Sequence, residues 1–352
     1  MNGRVGERIL RRLRLGLAVT VASAGGGAAY GFGIAGGELP GAARGAFVGA
    51  AIALLIVAFE LFYVRTPAGD WVGRLSFARM LAAKSVIYFA VFALVQVAGA
   101  VIVPAGAEQT LRIGPEFATS MAFSAAFAVV INVVMQLNRL LGRGVLASFF
   151  IGRYHVPREE ERIFLFLDLV GSTALAERLG GLRFMDLLNR LYRDIGAPII
   201  ECRGDIHKYV GDEVIVTWLP DKGLADANCV RCAFAVMDRI ALLADAYQRS
   251  FGVTPRFRAG IHIGAVVSGE LGDLKQEIAF LGDTMNTTAR LIDACREHDR
   301  SCIASADLVA RLSNAPEMIV EPLGSIHLRG RQAELELLAL SPPDRARLQA
   351  AP

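Results

Sequence analysis

Four stretches of this chain, residues 15–37, 43–64, 83–103 and 117–137, are each long and apolar enough to cross a hydrocarbon core. A bilayer core takes roughly 20 apolar residues of helix, and backbone groups inside it must be satisfied within the segment. The expectation for residues 15–137 is therefore an all-α, four-helix transmembrane domain behind a basic tail of residues 1–14. Arg4, Arg8, Arg11, Arg12 and Arg14 imitate the charged start of a secretory signal. The apolar stretch that follows is too long for a signal core, and a second one comes almost at once.

Loop arginines orient the spans. The N-terminal tail carries the five arginines, the second loop carries Arg65, Arg74, Arg79 and Lys84, and Arg139, Arg143 and Arg153 follow the fourth span. The other two loops hold only Arg44 and Arg112. Because cytoplasmic loops retain Lys and Arg, both termini and everything after residue 137 are expected on the cytoplasmic side. Ser23, Gly27 and Gly31, then Gly45, Gly49 and Ala53, form stripes of small residues four apart. Such stripes let backbones approach, either within one bundle or at a dimer seam. Glu60 lies one turn from the cytoplasmic end of its span, and Lys84 is placed to snorkel to the same surface. No deep intramembrane carboxylate marks an ion path, which argues against a transporter.

The remaining chain has another character. The overall 54% hydrophobic content averages an apolar first half with a second half of charged, alternating sequence. Residues 138–157 read as a linker with a short amphipathic helix ending before Pro157, residues 158–342 as a globular domain and residues 343–352 as a tail. A net charge of +3 implies no nucleic-acid partner. Five cysteines, all in the second half and odd in number, lack a disulfide framework and suit a reducing compartment.

Three blocks in the globular half carry chemistry. The first is a buried-type strand ending at Asp168-Leu169, followed by the turn Gly171-Ser172-Thr173. Ser172 or Thr173 is a natural helix N-cap, and the open amides of that turn suit an anion. In the second block two β-type segments flank Gly211-Asp212, a hairpin that holds Asp212 at a turn. Two carboxylates so placed can bind hard cations that share phosphate oxygens, although a turn aspartate also commonly bonds its own backbone. The third block runs from Arg258 to Gly272 and continues at Phe280-Leu-Gly-Asp283-Thr-Met-Asn286-Thr-Thr-Ala-Arg290. Asn286 and Arg290, four apart, share one helix face and can together stabilise charge on a phosphoryl group.

In this order and spacing the blocks closely resemble the catalytic domain of class III nucleotidyl cyclases, over roughly residues 162–338. The resemblance implies an α+β domain with a ferredoxin-like, palm-type βαββαβ core. It implies a bacterial adenylate cyclase at the inner membrane, making cyclic AMP and pyrophosphate from ATP with two Mg²⁺ or Mn²⁺ ions per site. By the same resemblance Asp168 and Asp212 bind metal with the Leu169 carbonyl, and Lys208 reads adenine. Asn286 orients the ribose, Arg290 stabilises the pentavalent phosphorus, and Arg329 and Arg331 contact the triphosphate. The family's sites span two such domains, which implies a two-fold homodimer here. One position departs from the pattern: Ala279 stands where the family has a side chain that accepts from the adenine amino group. A backbone carbonyl or water would have to replace it. Lys208 still favours ATP over GTP, since an ammonium only donates and adenine N1 accepts. The rival readings are a guanylate cyclase and a membrane sensor with an inactive cyclase-like module. Cys229 and Cys232 read as core thiols, His262 as a buried, hydrogen-bonded strand residue and Asp283 as a helix cap.

Overall fold

The computed structural model describes residues 2–34, 36–63, 75–102, 152–313, 317–327 and 334–342, with short helical pieces inside 121–137. The chain divides into two compact units, Met1–Leu140 and Leu141–Pro352.

In the first unit α1 (Asn2–Ile34) turns into α2 (Leu39–Ala58), which runs on as one π-helical turn, Phe59–Tyr63, and α3 spans Phe77–Ile102. The basic tail is thus part of the first helix rather than a separate segment. Among the described residues two helices, Leu39–Ala58 and Phe77–Ala98, are long and apolar enough to cross a membrane, each with a mean hydropathy of 1.9. About half of the expected fourth span, and residues 138–151 of the linker, lie outside the described residues. The small-residue stripes face each other across α1 and α2. A Cβ on Gly27 would lie 2.1 Å from the Gly45 carbonyl oxygen, and one on Gly49 would lie 2.3 Å from that of Ser23. Only hydrogen fits at such spacing, so these stripes serve packing within one chain. Lys84 does not snorkel. It is 4% exposed, and its Nζ lies 2.6 Å from Glu60 Oε1, an oxygen that also accepts from the Tyr88 hydroxyl. Burying both charges favours pairing over reaching for the surface.

The second unit begins with a turn in which Tyr154 is buried, its ring beneath Arg158 and its hydroxyl accepting from Arg162 (2.9 Å). Then come β1 (Arg158–Leu169), α4 (Ser172–Leu179), α5 (Gly181–Glu201), β2 (Asp205–Val210), β3 (Glu213–Trp218), α6 (Pro220–Leu224), α7 (Asn228–Leu242), α8 (Ala244–Phe251) and β4 (Phe257–Leu271). After these follow β5 (Glu277–Leu281), α9 (Asp283–Glu297), β6 (Cys302–Ser305), α10 (Ala306–Ala310), β7 (Ile319–His327) and β8 (Glu334–Ser341). All eight strands join one sheet in the order β2-β3-β1-β4-β6-β8-β7, with β5 hairpinned onto β4. The pairs β2–β3, β3–β1 and β1–β4 are antiparallel, which is the split βαβ order of a ferredoxin-like core.

The pleat of β1 divides its side chains between two layers. Ile163, Leu165, Leu167 and Leu169 are at most 1% exposed and pack on α5 and α7. Phe164 and Phe166 turn to the opposite face, against Ile292 of α9 and Phe280 of β5. Helix α9 can lie this close because β4 has glycines beneath it. A Cβ on Gly260 would meet the Thr288 carbonyl oxygen at 2.9 Å, and one on Gly264 would meet Thr284 Oγ1 at 2.6 Å. Asp168 follows the parity of Phe164 and Phe166, so the α9 face is where the chemistry collects.

His262 is buried with Nδ1 2.8 Å from Ser305 Oγ, as its strand pattern implies. Cys229 and Cys232 are core residues of α7, and burial pushes the Cys229 thiol up to about 12. Two capping expectations fail. Helix α4 starts at Ser172 after Gly171 at φ 70°, and α9 starts at Asp283 after Gly282 at φ 144°, in neither case with a side-chain cap. Glycine's access to positive φ opens both helices, displacing the residues whose side chains would otherwise cap.

Candidate active site

Asp168 ends β1 at 8% exposure. The β1–β3 register pairs Leu167 with Val214, so one further step sets Asp168 opposite Glu213, directly after the Gly211-Asp212 turn. Gly211 takes φ 61° at the first central position of this two-residue hairpin, a conformation glycine adopts without strain. Tyr192 of α5 clamps the turn: its hydroxyl donates to the Gly211 carbonyl (2.7 Å) and its ring stacks on Tyr209 at 4.3 Å. Sequence reasoning missed Tyr192, which looks like one more position of an amphipathic helix.

Glu213 lies within electrostatic reach of both aspartates. Burial, with Asp168 and Asp212 beside it, raises the Glu213 carboxyl to about 7. Asp212 Oδ2 is buried and has no hydrogen-bond partner. Asp168 Oδ2 accepts from Arg296 Nη2 at 2.9 Å, and Arg296 also reaches Asp293 at 3.2 Å. Arg296 is the second residue missed, since 128 positions separate it from its partner.

These groups fit a divalent cation. They are hard oxygen donors in excess of local positive charge, and one buried oxygen is unsatisfied. Among the described residues no three His, Cys, Asp or Glu converge as a complete ligand set. The Leu169 carbonyl at the strand end is a further oxygen beside these carboxylates. Gly171, Ser172 and Thr173 begin α4 immediately beyond, at a helix N-terminus suited to anions.

A second group lies elsewhere on the same sheet. A bulge between Ile206 and Lys208 leaves His207 as the extra residue of β2, its ring 4.8 Å from that of Phe280. Burial, reinforced by Lys208 and Arg162, lowers His207 to about 4. Lys208 Nζ lies 3.0 Å from Glu277 Oε1, and that hydrogen bond holds the Glu277 carboxyl below the usual range. Glu277 is the third missed residue. It sits two positions before Ala279 on β5, hence on the same face, and its longer side chain reaches where alanine cannot.

Asn286 and Ala289 are exposed and Arg290 half-buried on the outward side of α9, whose Thr287, Thr288 and Leu291 are buried. Arg296 is ten residues beyond Asn286 and at a different angle around the helix, so Asn286 lies about 15 Å along the axis from the residue that touches Asp168. Lys208 is two strand residues, or about 7 Å, before the end of β2 at Val210, with Asp212 in the turn beyond. Asn286 is thus set apart from the expected metal residues within one chain, and Lys208 pairs with Glu277 rather than with a carboxylate of the turn. Arg329 and Arg331 lie outside the described residues.

The fold is similar to that of a bacterial light-regulated adenylyl cyclase, with a TM-score of 0.55 at 18% identity, covering 63% of this chain and 65% of that one. In sequence, the chain is 41% identical over 221 residues to Adenylate cyclase 2 of Rhizobium meliloti (strain 1021), a match over 63% of this chain and 61% of the relative. Adenylate cyclase 1 of the same organism is 29% identical over 228 residues, 62% of this chain and 32% of that relative. The chain thus spans less than two thirds of the length of either relative. The profile described as "Adenylate and Guanylate cyclase catalytic domain" matches residues 155–340, more than half of the chain, which belongs to that family.

Proposed function

We propose that this chain is a membrane-anchored adenylate cyclase, converting ATP to 3′,5′-cyclic AMP and pyrophosphate at sites shared across a homodimer. The observation that carries the reading is the carboxylate group of Asp168, Asp212 and Glu213, with its unpartnered buried oxygen beside an amide-rich turn.

Asp168, Asp212 and the Leu169 carbonyl would hold two Mg²⁺ or Mn²⁺ ions, which lower the pKa of the ribose hydroxyl and screen the triphosphate. The amides of Gly171, Ser172 and Thr173 meet phosphate oxygens, and Arg329 and Arg331 add charge to the triphosphate. Asn286 orients the ribose so that its 3′-oxygen lines up with the α-phosphorus. The new O–P bond forms as the bond from the α-phosphorus to the bridging oxygen breaks, the hydroxyl proton passes to solvent and pyrophosphate leaves. Arg290 offsets the charge that builds on the α-phosphoryl oxygens, a role whose loss commonly costs about 10²–10³ in rate.

Lys208 donates to adenine N1, and Glu277 supplies the acceptor for the amino group that Ala279 lacks. The roughly 15 Å along α9 between Asn286 and Arg296, the residue that touches Asp168, argues for a two-fold partner that supplies the missing half of each site. Val267, Leu271, Leu274 and Leu281 on the β4–β5 hairpin, with Tyr209 and Val210, are exposed apolar residues that such a partner would cover. The alternation of loop arginines puts the catalytic half and both termini in the cytoplasm of a bacterium, with the N-terminal half multi-pass in the inner membrane.

The test is cyclic AMP formation by membranes carrying the full chain, given ATP with Mg²⁺ or Mn²⁺. Asp212→Asn should abolish it while the protein still inserts. Near-normal turnover of that variant at saturating Mn²⁺ would reject the reading.

A further inference from the structure

Asp168 Oδ2 faces two claims. A divalent cation bound between Asp168 and Asp212 needs oxygens of these side chains, and Arg296 already donates to Oδ2 from 2.9 Å. The two partners differ in freedom. Asp168 is 11% exposed in its side chain and fixed by the sheet, whereas Arg296 is 52% exposed, near the end of α9, and able to swing away. A guanidinium cannot give up its charge in a protein, so it leaves Asp168 by moving rather than by deprotonating. It also repels any cation that arrives beside it.

We propose that Arg296 is a positioning residue that competes with the divalent cation for Asp168, so that metal binds weakly until nucleotide phosphates arrive with it. Phosphate oxygens supply the negative charge that both draws the guanidinium off and completes the cation's ligands. Without nucleotide, Arg296 keeps Asp168 neutralised and the carboxylate cluster from repelling itself apart. The inference rests on the metal reading of Asp168 and goes beyond it.

The competing structural role predicts the opposite sign. If Arg296 merely holds Asp168 in place, its loss loosens a ligand and weakens cation binding. Under competition, its loss strengthens binding. The measurement is Mn²⁺ affinity of the full-length protein in detergent without nucleotide, read from the electron paramagnetic resonance signal of free Mn²⁺. Removing one charge beside the ion, discounted for solvent screening, should tighten Mn²⁺ about tenfold in Arg296→Gln. Arg296→Lys, which keeps the charge, should stay near wild type. With a non-hydrolysable ATP analogue bound, the difference between Arg296→Gln and wild type should shrink. Unchanged or weaker Mn²⁺ binding in nucleotide-free Arg296→Gln overturns the proposal, as does tightening in Arg296→Lys equal to that in Arg296→Gln. Asp168→Asn separates the two levels: it should abolish the binding in either background. Mn²⁺ affinity that survives Asp168→Asn would reject the metal reading itself, and the competition with it.

Discussion

Mixed dimers offer the most direct test of a site shared between chains. Asp212→Ala and Arg290→Ala should each be inactive alone, because every site of a two-fold dimer contains both positions. Asn286 and Arg290 lie on the outward side of α9, about 15 Å and 9 Å along the helix from Arg296, the residue that touches Asp168. In a mixed dimer one site receives both lesions, and the other combines the intact Asp212 of one chain with the intact Arg290 of the other. With equal expression and random pairing, about half of the dimers are mixed, and each has one of two sites working. Roughly a quarter of wild-type activity should therefore return. The assay is cyclic AMP formation by membranes co-expressing differently tagged chains, with tandem affinity capture to count mixed dimers. Well-formed mixed dimers that make no cyclic AMP would refute the arrangement, since the two groups would then have to meet within one chain.

Lys208→Glu and Glu277→Ala should each lower the ATP-to-GTP ratio of kcat/KM, with Glu277→Ala costing about tenfold as one hydrogen bond to the base is lost; an unchanged ratio in both would show that other groups read the purine. His207 is held neutral with its pKa at about 4, below an unfolded value near 6.5. Its contribution to stability is complete above pH 6.5 and is lost as pH falls toward 4, by at most ~1.4 kcal/mol per unit before screening. Melting of the catalytic half across that window should flatten in His207→Asn, and an identical slope would reject the assignment. Gly45→Ala would place a Cβ 1.9 Å from the Gly27 carbonyl oxygen. Overpacking of about 1–3 kcal/mol should lower the melting temperature of the membrane half, whereas Gly25→Ala, with open space around it, should not. Reporter fusions near Gly106 should read periplasmic and those near Asp70 cytoplasmic; the reverse result would overturn the topology and with it access to ATP.

What the chain writes locally was legible without a structure. Apolar run length sets helices that can span a bilayer, and a Gly-Asp pair between β-type segments sets a hairpin. An unbroken apolar run at residues 163–167 sets a buried strand with Asp168 near its end. Each depends on neighbours within a few residues, so spacing alone carries the information. The pairings across long separations were not legible. Arg296 reaches Asp168 over 128 positions, Lys208 reaches Glu277 over 69, and the Tyr192 hydroxyl bonds Gly211 over 19. The stripes of small residues showed that something packs closely, but only the approach of α1 to α2 showed that they meet each other. Capping likewise escaped a residue-by-residue reading, because glycine backbones rather than hydroxyls or carboxylates open α4 and α9. In every such case the partner is chosen by strand register and by how closely a helix can lie on the sheet. Those depend on the whole core at once, as the two β4 glycines that admit α9 illustrate.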